Sequence, residues 1–155
     1  MTEKFSPKNP KSCMLRFHTQ TAGATLTAQQ PSNNVVRVAY QALSSVLGGT
    51  QSLHTNSFDE AIGLPTDEAV TIALRTQQIL ALETGIPNHV DPLAGSYVIE
   101  EMTSKIYESS MDLIRKIESE GGALSAVRSG TQQRMIHESA WDHLNSIENG
   151  TLSVV

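Results

Sequence analysis

The pattern of apolar and polar positions in the first half of the chain predicts two amphipathic helices. Pro31-Ser32-Asn33 favours a helix start and Gly48-Gly49 a stop. A second helix is predicted between Pro65 and Gly85, with Thr66 as its cap and acidic residues in its first turn. Apolar residues of the first helix recur at spacings of three and four: Val35, Val36, Ala39, Ala42, Leu43, Val46 and Leu47.

A short segment of alternating character precedes each predicted helix. The triplet His18-Thr19-Gln20 is echoed by His54-Thr55-Asn56, 36 positions later. Both triplets follow an apolar residue, and the spacing is that of a strand–helix repeat. We therefore predict the order strand, helix, strand, helix over residues 14–85, which makes two consecutive βα units of an α/β fold.

One face of each predicted strand is wholly polar, because side chains of a strand point to opposite sides at period two. A parallel sheet covered on both sides normally carries near-continuous apolar runs, and a βα barrel fills its axis with branched aliphatic side chains. The helices should pack on the other face, of Leu15, Phe17, Thr19, Leu53 and Thr55. The polar faces carry Arg16, His18 and Gln20 in the first strand and Ser52, His54 and Asn56 in the second.

The polar face is expected to line water or a polar ligand. A buried polar group without a partner costs about 1–3 kcal/mol, which several groups at once could not sustain. Either histidine taken alone could instead be a core residue bonded to backbone carbonyls, but repetition in both strands disfavours that alternative. The loops after the strands, residues 21–30 and 57–65, lie at the end where βα barrels bind ligands. Gly23 would let backbone approach a ligand, although turn chemistry also explains it.

The second half of the chain reads as helical. Two prolines mark residues 86–95 as a connector. A long helix is predicted from Ser96 to Gly121-Gly122, followed by shorter helices near 123–128 and 132–145. The aromatic residues Tyr97, Tyr107 and Trp141 fall in helical patterns and are interpreted as core or interface positions rather than ligand-stacking ones. The predicted organisation is a flexible lead-in at 1–12, two βα units at 13–95, a helical segment at 96–148 and a disordered tail at 149–155.

Composition narrows the class of protein. The chain has 155 residues, a net charge of −5 and no apolar run near the ~20 residues of a membrane span. It has neither a basic cluster nor the apolar core of a signal peptide. Nucleic acid and membrane are therefore not expected partners, and a cytoplasmic location is expected. The single Cys13 excludes an internal disulfide, and the histidines lack zinc-site spacing, so no metal ligand is assigned. The adjacent Asp59 and Glu60 are expected to be a solvated acidic pair.

Four segments together resemble the methylmalonyl-CoA mutase family, specifically its large subunit. The resemblance runs from about residue 11 to 145 and corresponds to the last two βα units of that subunit's TIM-type barrel and the helical segment after it. The matching segments are Arg16-Phe17-His18-Thr19-Gln20-Thr21-Ala22-Gly23, Leu26-Thr27-Ala28-Gln29-Gln30-Pro31 with Asn33-Asn34-Val35-Val36-Arg37, Gly49-Thr50-Gln51-Ser52-Leu53-His54-Thr55-Asn56 with Asp59-Glu60-Ala61, and Asp91-Pro92-Leu93-Ala94-Gly95-Ser96-Tyr97.

This resemblance implies a carbon-skeleton rearrangement that depends on adenosylcobalamin. Homolysis of the cobalt–carbon bond gives an adenosyl radical that abstracts a substrate hydrogen, and the acyl thioester then migrates between adjacent carbons. In the family the CoA thioester threads a polar barrel axis and cobalamin closes its carboxyl end. The protein mainly positions a cofactor that carries the difficult chemistry.

The resemblance also implies roles for matched residues. His18, Gln51 and Ser52 would contact the acyl-CoA, while Gln20 and Gly23 would lie near the cobalamin. A neutral amide and a carboxylate suit ribose hydroxyls. By the same resemblance, Asn56 and Glu60 would hold the ribose of the adenosyl group, and Gly63 and Leu64 would touch the corrin. Gly63 stands where the family often has alanine. No catalytic residue is assigned, because nothing matches the family's catalytic histidine, steering tyrosine or cobalamin-ligand motif.

Three interpretations of the chain remain open. In the first, it works with the remaining mutase barrel and a cobalamin-binding chain, on methylmalonyl-CoA and succinyl-CoA. Isobutyryl-, ethylmalonyl- or 2-hydroxyisobutyryl-CoA would be the alternative substrates. In the second, it is a non-catalytic module that docks on a mutase or its chaperone. In the third, it is a truncated product without independent function.

Overall fold

A computed structural model describes residues 5–155, which divide into two compact units at Gly95 and Ser96. The first unit contains strand β1 (Thr19–Gln20), helix α1 (Asn33–Leu47), strand β2 (Leu53–His54) and helix α2 (Asp67–Leu82). The second contains helices α3 (Tyr97–Ser119), α4 (Gly122–Arg128) and α5 (Thr131–Glu148). The predicted α/β class and the order strand, helix, strand, helix are therefore confirmed.

The two strands are parallel, with Thr19 opposite Leu53 and Gln20 opposite His54. Each strand is only two residues long, which is shorter than the alternating segments that predicted it. The pairing is extended on both sides by Thr19 N–H donating to Ser52 O at 2.9 Å and Thr21 N–H donating to His54 O at 3.1 Å. The hydrogen-bonded register therefore does not place the two repeated histidines opposite each other.

The helix boundaries follow local capping chemistry. Helix α1 begins after a turn in which Asn33 N–H donates to Gln30 O at 2.9 Å, and Gly48 follows its last residue. Helix α2 begins after Thr66, whose hydroxyl accepts from Ala69 N–H at 3.2 Å and satisfies one of the first-turn donors. Asp67 and Glu68 lie in its first turn, where acidic side chains stabilise a helix.

Small side chains form the core of the first unit. Val38 and Ala42 of α1 are buried, and so are Ala69, Ala73 and Leu80 of α2. Helices α1 and α2 contact each other directly, and buried alanines allow a close approach. Val36 belongs to the predicted apolar set but is 57% exposed, because it lies on the side of α1 away from Val38 and Ala42.

The second unit buries few side chains. Glycines with positive φ precede its two shorter helices, at Gly121 (φ 99°) and Gly130 (φ 72°). Its buried residues are Ala126 and Thr131, and α3 has none among the described residues. The three aromatic residues were expected at core or interface positions. The core alternative is wrong within this unit, since they are largely exposed, and the interface alternative stays a prediction. Their exposed fractions are 82% for Tyr97, 64% for Tyr107 and 64% for Trp141.

The termini differ from their predictions in part. Residues 1–4 of the predicted lead-in lie outside the described residues, and Pro10–Cys13 at its end form a 3₁₀ turn rather than unstructured chain. Asn9 caps that turn by accepting from Lys11 N–H at 3.0 Å. In the predicted tail, Leu152 N–H donates to Ser146 O at 2.8 Å. Within residues 5–155, no helix has the length and apolar character needed to cross a membrane.

Candidate functional site

The parallel pairing aligns the polar faces of β1 and β2. His18 Nδ1 lies 2.7 Å from Ser52 Oγ, so the two side chains are hydrogen-bonded across the strands. Both residues are exposed, as is Gln20. The polar face was predicted to point into a barrel, and that orientation stays a prediction, because the described sheet has two strands.

Gln51, which precedes β2, connects this segment to the residues that precede β1. Its Oε1 accepts from Phe17 N–H at 2.9 Å, and its Nε2 donates to Leu15 O at 3.2 Å. The Gln51 side-chain amide thereby makes the two hydrogen bonds to the backbone before β1 that a neighbouring strand would otherwise make. The three residues assigned to acyl-CoA by resemblance, His18, Gln51 and Ser52, thus form one group.

A second group lies further along the same face. Gln20 Nε2 donates to Asn56 Oδ1 at 3.4 Å, which is a long hydrogen bond. Asn56 is only 1% exposed, and its backbone N–H donates to Thr21 Oγ1 at 2.9 Å. Its Nδ2 is buried and has no hydrogen-bond partner in the described part of the chain. An unsatisfied buried donor is rare and marks a position where a ligand can supply the acceptor.

Gly23 provides a small niche in which the side chains of Asn56 and Glu60 lie against its backbone. A Cβ at this position would lie 2.8 Å from Asn56 Nδ2 and 2.6 Å from Glu60 Oε1, closer than side chains tolerate. The niche is therefore bounded by an amide donor and a carboxylate acceptor. It belongs to the 3₁₀ turn Gly23–Thr25 that follows β1.

The loop after β2 forms one wall of a cavity of about 520 Å³. Glu60 borders both this cavity and the Gly23 niche, so the two spaces adjoin. Gly63 and Leu64 line the cavity, and Leu64 is 94% exposed. A Cβ at Gly63 would meet nothing within 4 Å, so alanine fits there without a clash. The structure thus brings the six residues assigned to cobalamin into one region: Gln20, Gly23, Asn56, Glu60, Gly63 and Leu64.

The opposite face of the sheet contacts α2 through threonine rather than through large apolar residues. Thr55 Oγ1 donates to Ala73 O at 2.7 Å and accepts from Gln77 Nε2 at 2.9 Å. Leu15 is 76% exposed and Phe17 is 40% exposed. The expected helix packing on this face is therefore seen at Thr55 and is wrong for Leu15.

Asp59 was expected to be solvated with Glu60, but it is buried while Glu60 is exposed. Its Oδ2 accepts from Thr66 N–H at 2.9 Å, and this hydrogen bond lowers the pKa of Asp59 below its ordinary value although burial acts against it. Ile62 N–H also donates to Asp59 O at 2.8 Å. Asp59 therefore braces the loop that carries Glu60, Gly63 and Leu64.

Asp59→Asn should change the pH dependence of thermal stability. A folded-state pKa below the unfolded value of about 3.9 stabilises the fold above that value, and this contribution is lost as pH falls through the folded pKa. The melting temperature of the wild type should exceed that of Asp59→Asn most at pH 7, and the difference should shrink below about pH 4. Melting curves followed by circular dichroism measure both. A difference that stays constant from pH 7 to pH 3 would contradict this role.

The first unit is an α/β unit whose sheet has one polar face, and the second unit is helical. Within residues 5–155, no three His, Cys, Asp or Glu side chains are grouped so that they could hold a metal ion. The sequence model of the methylmalonyl-CoA mutase family matches residues 1–155, and the chain belongs to that family.

Curated relatives agree with this membership. The chain is 52% identical over 138 residues to methylmalonyl-CoA mutase of Rhizobium meliloti (strain 1021), covering 89% of this chain and 19% of the relative. It is 48% identical over 151 residues to the protein named methylmalonyl-CoA mutase, mitochondrial, of Homo sapiens, covering 97% and 20%. It is 44% identical over 155 residues to the 2-hydroxyisobutanoyl-CoA mutase large subunit of Aquincola tertiaricarbonis, covering 100% and 28%. The chain thus spans between a fifth and just over a quarter of the length of these relatives.

Proposed function

We propose that this chain contributes acyl-CoA and adenosylcobalamin contacts to an acyl-CoA mutase of the methylmalonyl-CoA to succinyl-CoA type, an intramolecular transferase. The observation that carries the proposal is the arrangement of the polar face. His18 and Ser52 form one hydrogen-bonded pair, and Gln20 and Asn56 form the next one along the same two strands. The two ligands would then meet along one continuous surface.

The architecture supports two βα units of a TIM-type barrel. Both strands are parallel, and each is followed by a helix. Among residues 5–155, each strand has a neighbour on one side only, so each presents an unpaired edge there. The remaining mutase barrel would complete the sheet, and a cobalamin-binding chain or domain would cover the loops after the strands. A cytoplasmic location belongs to this proposal as well.

The chemistry of the first group suits a thioester substrate. If the Ser52 hydroxyl donates to His18 Nδ1, the neutral imidazole carries its proton on Nε2. Nε2 can then donate to an oxygen of the acyl group. Gln51 holds the backbone before β1 and so fixes the approach of His18. These residues bind and orient the substrate.

The residues of the second group fit the adenosyl part of the cofactor. The unpaired Asn56 Nδ2 can donate to a ribose hydroxyl, and Glu60 can accept from another. Gly23 lets both side chains lie close to its backbone, where a Cβ would stand in their way. Adenosylcobalamin supplies, when bound, a cobalt–carbon bond that breaks homolytically. Asn56 and Glu60 would hold its ribose in place.

A native pull-down of this chain tests the proposal. The complex is to be purified from the cells of origin, its components identified by mass spectrometry, and its turnover assayed with methylmalonyl-CoA and 2-hydroxyisobutyryl-CoA. Recovery of a barrel-completing component with cobalamin-dependent turnover supports the proposal, and the preferred substrate distinguishes the two mutase types. Recovery of a mutase whose turnover does not depend on this chain would favour a non-catalytic docking module. Recovery of no component would favour a truncated product.

Two substitutions should separate the ligand contacts. In the assembled enzyme, Glu60→Ala should weaken adenosylcobalamin binding about tenfold and leave acyl-CoA affinity nearly unchanged, because it removes a charged hydrogen bond. His18→Ala should weaken acyl-CoA binding and leave adenosylcobalamin affinity nearly unchanged. Titrations with each ligand measure both affinities, and Glu68→Ala, an exposed carboxylate in the first turn of α2, is the control. Equal losses for both ligands in either variant would contradict the division of the site.

A further inference from the structure

A polar stripe on α1 faces the two loops that follow the strands. Asn34, Arg37 and Gln41 are three and four residues apart, so they lie on one side of the helix. None of them was assigned a role from the sequence. All three make side-chain hydrogen bonds to the loop at residues 21–30 or to one another.

Asn34 joins the two loops. It is fully buried, and its Nδ2 donates to Thr27 O at 2.9 Å and to Phe58 O at 2.8 Å. Its Oδ1 accepts from Thr27 N–H at 3.1 Å and from Arg37 Nη1 at 2.8 Å. The amide therefore uses its full capacity of two donors and two acceptor positions. Thr27 belongs to the loop after β1 and Phe58 to the loop after β2, so this single side chain fixes the distance between them.

Gln41 holds the turn that contains Gly23. Its Oε1 accepts from Ala22 N–H at 2.5 Å, and its Nε2 donates to Thr25 Oγ1 at 2.8 Å. Thr25 Oγ1 in turn donates to Ala22 O at 2.7 Å. Ala22 and Thr25 flank Gly23 on the two sides of the 3₁₀ turn. Gln41 therefore fixes the place of Gly23 opposite Asn56 and Glu60.

We propose that Asn34 and Gln41 are positioning residues for the adenosyl end of the cofactor. They touch no ligand themselves, but they set the separation of Gly23 on one loop from Glu60 on the other. This inference rests on the function proposed above. Asn56 and Glu60 lie on the loop after β2, whereas Gly23 lies against them from the loop after β1. The geometry of the ribose contacts therefore depends on the spacing of the two loops, and a misplacement of about 1 Å can cost about two orders of magnitude in a reacting geometry.

The first test removes the Gln41 bonds without changing side-chain length. In Gln41→Met, the Ala22 amide loses its acceptor, and its hydrogen exchange, measured by NMR on the full chain, should speed up roughly tenfold. Gln78→Met is the matched control, because the Gln78 Oε1 accepts from Arg75 within α2 and not from the loop that contains Gly23 in the described part of the chain. It should leave the Ala22 exchange rate unchanged. We use the word clamp for the hydrogen bonds of Asn34 and Gln41 to the two loops. An unaltered exchange rate in Gln41→Met would show that Gln41 does not act as part of this clamp.

The second test asks whether the clamp acts on the adenosyl group. In the assembled protein, Gln41→Met and Asn34→Asp should weaken binding of adenosylcobalamin about tenfold and binding of hydroxocobalamin, which lacks the adenosyl group, by less than about twofold. Asn34→Asp keeps the acceptor for Arg37 and removes both donors. Asn33→Asp is its control, since among residues 5–155 the Asn33 side chain bonds to Gln30 and not to the loop after β2. Visible absorption spectra measure both affinities.

Each outcome decides a separate question. Equal loss for the two cobalamins would reduce Asn34 and Gln41 to a general structural role and overturn the inference. If the unsubstituted assembly binds neither cobalamin, the proposed function fails and the cofactor role of the clamp fails with it. In that case the Ala22 exchange rate still reports whether Gln41 orders the turn.

Discussion

Gly23→Ala is expected to lower the affinity of the assembled enzyme for adenosylcobalamin by about 5- to 150-fold. The added Cβ would lie 2.6 Å from Glu60 Oε1 and 2.8 Å from Asn56 Nδ2, so at least one of these groups must move. Overpacking of this kind costs about 1–3 kcal/mol, which sets the range of the affinity loss. Gly23 is not among the glycines with positive φ, so alanine adds no backbone strain there.

The fold itself should tolerate Gly23→Ala, because the exposed Glu60 side chain can swing into solvent. Ala24→Ser is the control, since Ala24 is exposed in the same 3₁₀ turn and has no assigned ligand contact. That variant should bind cobalamin like the wild type, and both should keep the wild-type melting temperature within a few degrees. Equal binding losses in the two variants would show that the niche at Gly23 has no special role.

Val38→Asp is expected to abolish cooperative unfolding of the first unit. Val38 is 2% exposed where α1 contacts α2, and an aspartate there would be a buried charge without a partner. The cost of several kcal/mol for such a charge is comparable with the whole stability of a small unit. Far-UV circular dichroism during heating and urea titration measures the transition.

Val36→Asp provides the control on the same helix. Val36 is 57% exposed, and a substitution at such a position usually changes stability by no more than about 0.5 kcal/mol. The isolated chain should therefore keep its transition with Val36→Asp and lose it with Val38→Asp. Similar melting curves for the two variants would contradict the placement of the core.

Much of the fold follows from local pattern. The strand and helix order was predictable because each element has its own period and its own caps, as Thr66 at the start of α2 illustrates. The core was predictable only in part. Val36 and Val38 are two residues apart and chemically identical, and which of them is buried depends on where α2 packs.

The candidate site was also predictable only in part. The resemblance singled out His18, Ser52, Gln20 and Asn56, and the strand pairing joins them two by two. Their ligand roles remain a prediction. Asn34 and Asp59 were missed, because Asn34 stands beside the equally polar Asn33 at the start of α1 and only the tertiary structure shows which of the two is buried.

The sequence by itself determined the α/β order, the polar face of the strands and the membership of the methylmalonyl-CoA mutase family. Only the tertiary structure decided that His18 lies beside Ser52, that Asn56 keeps an unpaired buried donor and that Asp59 is buried while Glu60 is not. The physical reason is that register and burial depend on contacts between segments that are distant in the chain. The hydrogen bond between His18 and Ser52, for example, joins residues 34 positions apart.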